Sequence, residues 1–317
     1  MTNGPQIPVP QPVQTDPAKL RWGIVSTVKA PLRKIAEFIA FHLDLGAQRI
    51  RIHLDVPDPS IAERLAHPRV RFTQCDDRYW QGKPSRARAT HQRRQMFNAA
   101  RTYRVSQLDW LIHIDVDEFI LSPHPLAELL AAVEPDASHI ELQPVEMMEG
   151  SLDPHHFKRP ASKTIRRTIY PVFGEHIPGG FIGTRSPKIA ARTGLPNVRL
   201  GIHALHHAGQ PVPGAALLPG VELGHAHAPD FKTFERHLAY RLSKGSYHDR
   251  NGETNLRGHL FRALMDDPEP DALRAFHTEL CVPTSERIAL LKEHGLLRVE
   301  ALNLDAKVER FFGNLED

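Results

Sequence analysis

The sequence predicts an α/β protein: a mixed, mostly parallel sheet flanked by helices, with a helical extension at its C-terminal end. Three observations carry that prediction. The first 114 residues run strand, helix, strand, strand, helix, strand, an order that lays parallel strands side by side through right-handed crossovers. The apolar run Trp110-Leu-Ile-His-Ile114 reads as a strand covered on both faces, as parallel sheets require. Three of the strand ends carry acids, and in open α/β sheets ligands bind beyond the carboxyl ends of the strands.

The elements follow in order. Residues 1–18 hold five prolines and three glutamines with no apolar core, the composition of a disordered leader rather than a signal peptide. Residues 22–28 form the first strand. Pro31 opens a helix with Leu32, Ile35, Ile39 and Leu43 on one stripe and Gly46 as its stop. His42, at the edge of that stripe, is expected to be a packed side chain. Residues 49–54 alternate as a second strand ending at Asp55, before the turn Val-Pro-Asp58-Pro-Ser. A third strand, 70–75, ends in Asp76 and Asp77, and residues 89–104 form a helix. A short helix is expected at 126–133 and a strand at 139–143.

The stretch 144–229 is rich in Gly, Pro and His, with short strands expected near 164–173 and 188–192. Long loops over a sheet suit ligand recognition. Asp230 caps a helix running to about 244, stopped by Gly245, and 269–312 reads as two or three more helices. The linear organisation is then a leader (1–18), a main domain (19–229) and a helical region (230–317).

Composition narrows the function classes. A formal net charge of +3 is too small to imply a nucleic-acid partner. Cys75 and Cys281 make neither a disulfide framework nor a cysteine zinc site. The few cysteines and the lack of a long apolar run fit a cytoplasmic protein without a membrane span. The first strand is followed by neither a dinucleotide fingerprint nor a P-loop.

The strongest site signal is the end of the 110–114 strand, where Asp115, Asp117 and Glu118 follow at once. Carboxylates gathered this way call for a hard cation, Mg²⁺ or Mn²⁺, with open positions that a diphosphate can fill. A helix-loop-helix calcium site does not fit, because the sixth and twelfth positions from Asp115 are Ile120 and Leu126. A solvated turn is the competing reading. Between Arg78 and Arg104 stand seven arginines, one lysine and no acid. Arg94, Gln95 and Asn98, within about one helical turn, suit a phosphate or nucleoside. A solvated basic face, or one meeting anionic lipid head groups, competes with that. His225-Ala-His227 sets two imidazoles on one side of an extended segment as further metal ligands. His206-His207 and His155-His156 are weaker pairs, and surface histidines are the plainer reading of each.

Together these segments resemble bacterial glycosyltransferase family 2-like proteins of the GT-A fold. The resemblance covers about residues 20–250. It rests on Ser26-Thr-Val-Lys29, Glu37-Phe-Ile-Ala-Phe-His42 with Gly46, and Arg94-Gln95 with Asn98. It rests most on Trp110-Leu-Ile-His-Ile-Asp-Val-Asp-Glu-Phe119, and then on His225-Ala-His227 with Tyr240-Arg-Leu-Ser-Lys-Gly245. The chain departs from relatives in lacking an acid after Lys29, where Ala30 and Pro31 stand. The resemblance implies a hexosyltransferase-like enzyme that moves a sugar from a nucleotide-sugar donor to a glycan or glycolipid acceptor, with inversion. Asp115 and Asp117 would meet the donor's Mn²⁺ or Mg²⁺, and Asp55 and Asp58 the nucleoside. The acceptor would be handled at the cytosolic face of a membrane, by peripheral contact.

The base that takes the acceptor proton is expected at Glu146 or Glu149, with Glu146 the choice. Two other classes stay open. One is a metal-dependent phosphohydrolase; the other is a non-catalytic sugar- or lipid-binding module on a degenerate transferase scaffold.

Overall fold

Pro31 has no N–H to leave unsatisfied, and Gly46 takes the positive φ (+102°) that a β-carbon disfavours. These two residues bound the first helix, α1 (Leu32–Asp44), which follows β1 (Trp22–Val28) in a computed structural model of the chain. The structure describes residues 11–150, 152–244, 247, 254–267 and 271–315. Residues 1–10 of the expected leader and the expected stop at Gly245 lie outside them.

Continuing along the chain, β2 (Arg49–Leu54) leads to α2 (Pro59–Arg64), which Asp58 caps by accepting from the Ser60 amide at 3.0 Å. Next come β3 (Val70–Gln74), the short α3 (Asp77–Trp80) and α4 (Ser85–Arg88), and α5 (His91–Arg104), capped by Thr90. Strands β4 (Trp110–His113) and β5 (Glu118–Leu121), helix α6 (Leu126–Ala131) and the long strand β6 (His139–Met147) follow. Then β7 (His155–Lys158) precedes α7 (Lys163–Ile169). The sequence reading expected a strand near 164–173. A helix forms instead because Ser162 caps it, accepting from the Ile165 amide at 3.4 Å.

The short strands β8 (Lys188–Arg192), β9 (Val198–Leu200), β10 (Leu205–His207) and β11 (Gln210–Pro211) come next, then β12 (Ala216–His225) and α8 (Phe231–Lys244). Asp230 caps α8 as expected, accepting from the Thr233 amide at 2.7 Å. The remainder is α9 (Leu256–Met265), α10 (Ala272–Cys281), α11 (Ser285–Glu293), β13 (Leu297–Glu300) and α12 (Leu304–Phe312). The 269–312 stretch thus holds its three helices and also a strand, β13. That strand forms because β7 offers it an antiparallel edge, with Val299 opposite His156.

The chain divides into two compact units, Met1–Gln143, Ser186–Leu223 and Asn303–Asp317 in one, Pro144–Arg185 and Gly224–Leu302 in the other. This differs from the linear division at 229/230. Helix α12 returns to the first unit because Val308, fully buried, joins that unit's core beside α1.

In the first unit β3, β2, β1 and β4 are mutually parallel, β8 adds antiparallel to β4, and residues 139–142 of β6 add antiparallel to β8. This is the mixed, mostly parallel sheet that the strand order predicts, and helices flank it. Every residue of β1 and of β4 is buried, including Trp22 and Trp110, each such side chain stabilising by roughly 2 kcal/mol or more. His42 is fully buried with Nδ1 on the Phe38 carbonyl (2.8 Å), and burial pushes its pKa down to about 3. It is packing, as expected.

The second unit has its own core of Phe234, Phe261, Phe276, Leu280 and Leu291 with Tyr170 and Ile177. Its strands β13 and β7 are antiparallel, and β7 continues onto Glu146 and Met147 of β6. No helix among the described residues is long and apolar enough to cross a membrane.

Candidate functional site

Because β3, β2, β1 and β4 are parallel, their carboxyl ends share one edge of the first unit's sheet. Asp55 follows β2, Asp76 and Asp77 follow β3 after Cys75, and Asp115 follows β4 one residue on. Helix α5 runs beside this edge and supplies polar groups from one face, since residues 91, 94, 95 and 98 recur at helical spacing. Arg94 grips Asp55 with both arms of its fork, at 2.6 and 2.7 Å, and His91 adds a third contact at 3.1 Å. Burial alone would raise the Asp55 pKa, but His91 and Arg94 outweigh it and hold the carboxyl well below the usual range. Asn98 donates to the Thr27 hydroxyl (3.0 Å) and accepts from Tyr79 (2.6 Å), tying α5 to β1.

The acidic segment is a closed turn. The Glu118 amide donates to the Asp115 carbonyl (3.1 Å), and the Glu118 carboxylate accepts from the Asp115 amide (2.8 Å). Val116 and Asp117 are the two turn residues between them. Below the turn stands Lys188, the first residue of β8. Its ammonium is buried, 2.6 Å from Asp115 and 2.7 Å from Glu118. Burial would lower the Lys188 pKa, yet the two carboxylates outweigh it and hold the ammonium charged. Asp115 also accepts from Gln95 at 2.5 Å. Its two oxygens therefore already hold an ammonium and an amide, while Asp117 presents its carboxylate half-buried at the turn. A cation on Asp115 would share that carboxylate with Lys188.

The structure thus brings Asp55 together with Arg94, and Gln95 with Asp115. Asp58 does other work: its carboxylate caps α2 and accepts from the Ser60 hydroxyl at 2.6 Å. Beyond β3, Arg78, Lys83 and Arg88 line a surface depression of about 610 Å³.

The second unit holds the other candidates. Glu146 is buried, accepts from the amides of Ile182 (3.0 Å) and Gly183 (2.5 Å), and stands 3.2 Å from the Lys158 ammonium. Gly183 packs closely there: a β-carbon would stand 3.0 Å from His225 Nδ1 and 3.1 Å from Glu146 Oε1, so those side chains would have to shift to admit one. His225 ends β12, with its ring 5.0 Å from that of His227. His227 is buried and held by Arg241, whose guanidinium reaches both ring nitrogens, one at 3.1 Å. Burial first, then the neighbouring charges of Arg241, His225, His237 and Arg257, push its pKa far down. His227 is therefore the neutral imidazole that metal ligation requires, although Arg241 already engages it. Glu149 differs from Glu146 in being 37% exposed, with its pKa raised by burial and by Asp230.

Sequence reasoning missed Lys188, Lys158 and Arg257, and it quoted Arg241 within the segment 240–245 without giving it a role. The one available signal for Lys188 was a lysine opening the otherwise small and apolar strand Lys-Ile-Ala-Ala-Arg. No family model matches the chain, and no curated protein does.

Proposed function

We propose that the chain is a metal-dependent glycosyltransferase of GT-A type, moving a sugar from a nucleotide-sugar donor to a glycan or glycolipid acceptor at the cytosolic face of a membrane. The observation that supports this best is the carboxyl edge of the first unit's parallel sheet. Acids that end successive strands stand there with preset counter-charges, Arg94 on Asp55 and Lys188 on Asp115. Electrostatic preorganisation of this kind needs no rearrangement when a charged ligand arrives.

In this reading the α5 face positions the nucleoside and its phosphates through Arg94, Gln95 and the segment that Asn98 anchors. Asp117 is the first carboxylate for Mn²⁺ or Mg²⁺, with Asp115 shared between the cation and Lys188. When bound, the cation stabilises the charge of the departing diphosphate. The acceptor proton goes to Glu149 rather than Glu146. A base must reach an acceptor hydroxyl, Glu146 is locked inside by two amides and Lys158, and a raised pKa suits Glu149 to taking a proton.

One observation favours a second reading, a sugar- or lipid-binding module without turnover: an ammonium already occupies Asp115. The deciding experiment is a thermal-shift series of UDP, GDP, CDP and dTDP with and without Mn²⁺, on wild type, Asp117→Ala and Glu149→Gln. Binding to the native state alone raises the melting temperature. The transferase reading requires a Mn²⁺-dependent shift with one nucleotide, lost in Asp117→Ala and kept in Glu149→Gln. Absence of any shift moves the assignment to the binding module.

A further inference from the structure

Helices α3 and α4 and the first turn of α5 gather five cations on one side of the first unit. Arg78, Lys83 and Arg88 line the depression of about 610 Å³ beyond β3, with Trp80 and Pro84 as its apolar lining. The Arg88 carbonyl accepts from Arg94 at 3.0 Å and the Arg86 carbonyl from Arg93 at 3.5 Å, which sets α4 against α5. Arg93 is exposed, off the face of residues 91, 94, 95 and 98 that meets the strand ends. A small core of Cys75, Trp80 and Ala87, with Tyr79 and Phe97 against it, holds the short helices in place.

This charge is not answered locally. From Arg78 to Arg104 the chain has seven arginines, one lysine and no acid, while the remainder is net negative. Among the described residues only Arg88 of the five cations has a carboxylate partner, Asp77 at 2.6 Å. Lys83 instead lies over the Tyr79 ring, 3.9 Å from its centroid. Burial first, then the charge of Arg101, lowers the Lys83 pKa against Cys75 and Asp76. Like charges gathered this way repel, and an anionic layer relieves all of them at once.

The surface fits lipid head groups better than nucleic acid. Lys83 lies on the Tyr79 ring, and Trp80 is buried with its indole N–H on the Cys75 carbonyl at 3.1 Å, so the patch offers bases poor stacking. Helices α3 and α4 have four residues each, too few to lie along a groove. A bilayer asks only for clustered positive charge, and a group of about four to eight basic side chains supplies it.

We propose that Arg78, Lys83, Arg86, Arg88 and Arg93 form the face by which the chain docks on an anionic lipid bilayer, the depression admitting a head group. The proposal rests on the transfer reading only for its purpose, bringing the chain to an acceptor held at a membrane.

The full chain is sedimented with vesicles of phosphatidylcholine alone and of phosphatidylcholine mixed with phosphatidylserine, without nucleotide or metal. Wild type binds the anionic vesicles only, and raised salt releases it. Arg86→Gln combined with Arg93→Gln weakens binding by roughly thirtyfold, the loss of two basic groups at the surface. Arg86→Lys combined with Arg93→Lys binds as wild type does, since a bilayer reads charge rather than the guanidinium fork. Arg236→Gln combined with Arg262→Gln, at exposed arginines of the second unit, leaves binding unchanged.

Equal binding to neutral vesicles, wild-type affinity in the Arg86→Gln and Arg93→Gln pair, or an equal loss in the second-unit pair overturns the docking face. So does tighter binding to duplex DNA or RNA than to anionic vesicles at the same phosphate concentration. A Mn²⁺-dependent nucleotide shift without vesicle binding removes this face and leaves the transferase reading intact. Vesicle binding without any nucleotide shift does the reverse.

Discussion

A buried ammonium is stable only where carboxylates replace its water, and Lys188 has Asp115 at 2.6 Å and Glu118 at 2.7 Å for that purpose. Replacing it by Met leaves Glu118 buried as an anion without a cation, and releases Asp115 from below. Lys188→Met should cost about 3–5 kcal/mol of folding stability, the penalty for breaking one side of a buried pair. Urea unfolding reads that loss, and a cost below about 1 kcal/mol, the level of an exposed pair, would show that the ammonium is not a structural counter-ion. The residue scale is also where sequence reading was weakest. Asp115 and Glu118 are legible as acids after an apolar strand, whereas their partner lies 70 or more positions away on an antiparallel strand. Nothing local marks Lys188 as the residue between them. Glu146 shows the same gap from the other side: its type suggested a base, and its burial under Ile182, Gly183 and Lys158 points to a positioning role.

Helix α5 is the element that assembles the acid edge, since His91, Arg94, Gln95 and Asn98 all reach partners on neighbouring strands or their ends. Its start depends on Thr90, whose hydroxyl accepts from the Arg93 amide at 3.3 Å. Thr90→Ala should cost about 1 kcal/mol. It should also weaken nucleotide binding relative to a cap substitution elsewhere, such as Ser162→Ala on α7. Paired unfolding and thermal-shift curves on both variants test this; equal nucleotide shifts in the two would detach α5 from the ligand. At this scale the sequence was informative wherever a stripe and a stop coincide, as in α1 with Pro31 and Gly46. It failed at α7, where Thr164, Ile165, Thr168 and Ile169 look like strand residues and the Ser162 cap decides for helix.

Across the whole molecule the buried histidines set the acid limit of stability. Burial first of all pushes His42 down to about 3, and His53, His113 and His277 to about 4. In the unfolded chain each returns to about 6.5. Between those values the unfolded chain binds protons that the native state refuses, so stability falls as pH drops from about 6.5 toward about 4, by up to roughly 1.4 kcal/mol per pH unit for each histidine. Asp55 acts the same way further down. Its folded pKa is depressed, so its contribution is present above the unfolded value of about 3.9 and disappears as pH falls below it. Unfolding free energies measured at about pH 7 and about pH 5 should differ in this direction, and His42→Phe should flatten the difference; a pH-independent free energy would contradict the burial of these rings as neutral groups.

The sequence by itself determined the α/β class, the parallel order of the first four strands and the acids at their ends. Each of these is written locally, in hydrophobic period, in turn chemistry and in the residue that follows a strand. Tertiary structure alone decided which side chains answer those acids, which glutamate is locked away, and that α12 returns to the first unit's core. Those outcomes depend on contacts between residues far apart in the chain, where burial and the pairing of charge select one partner among many that the sequence leaves equivalent.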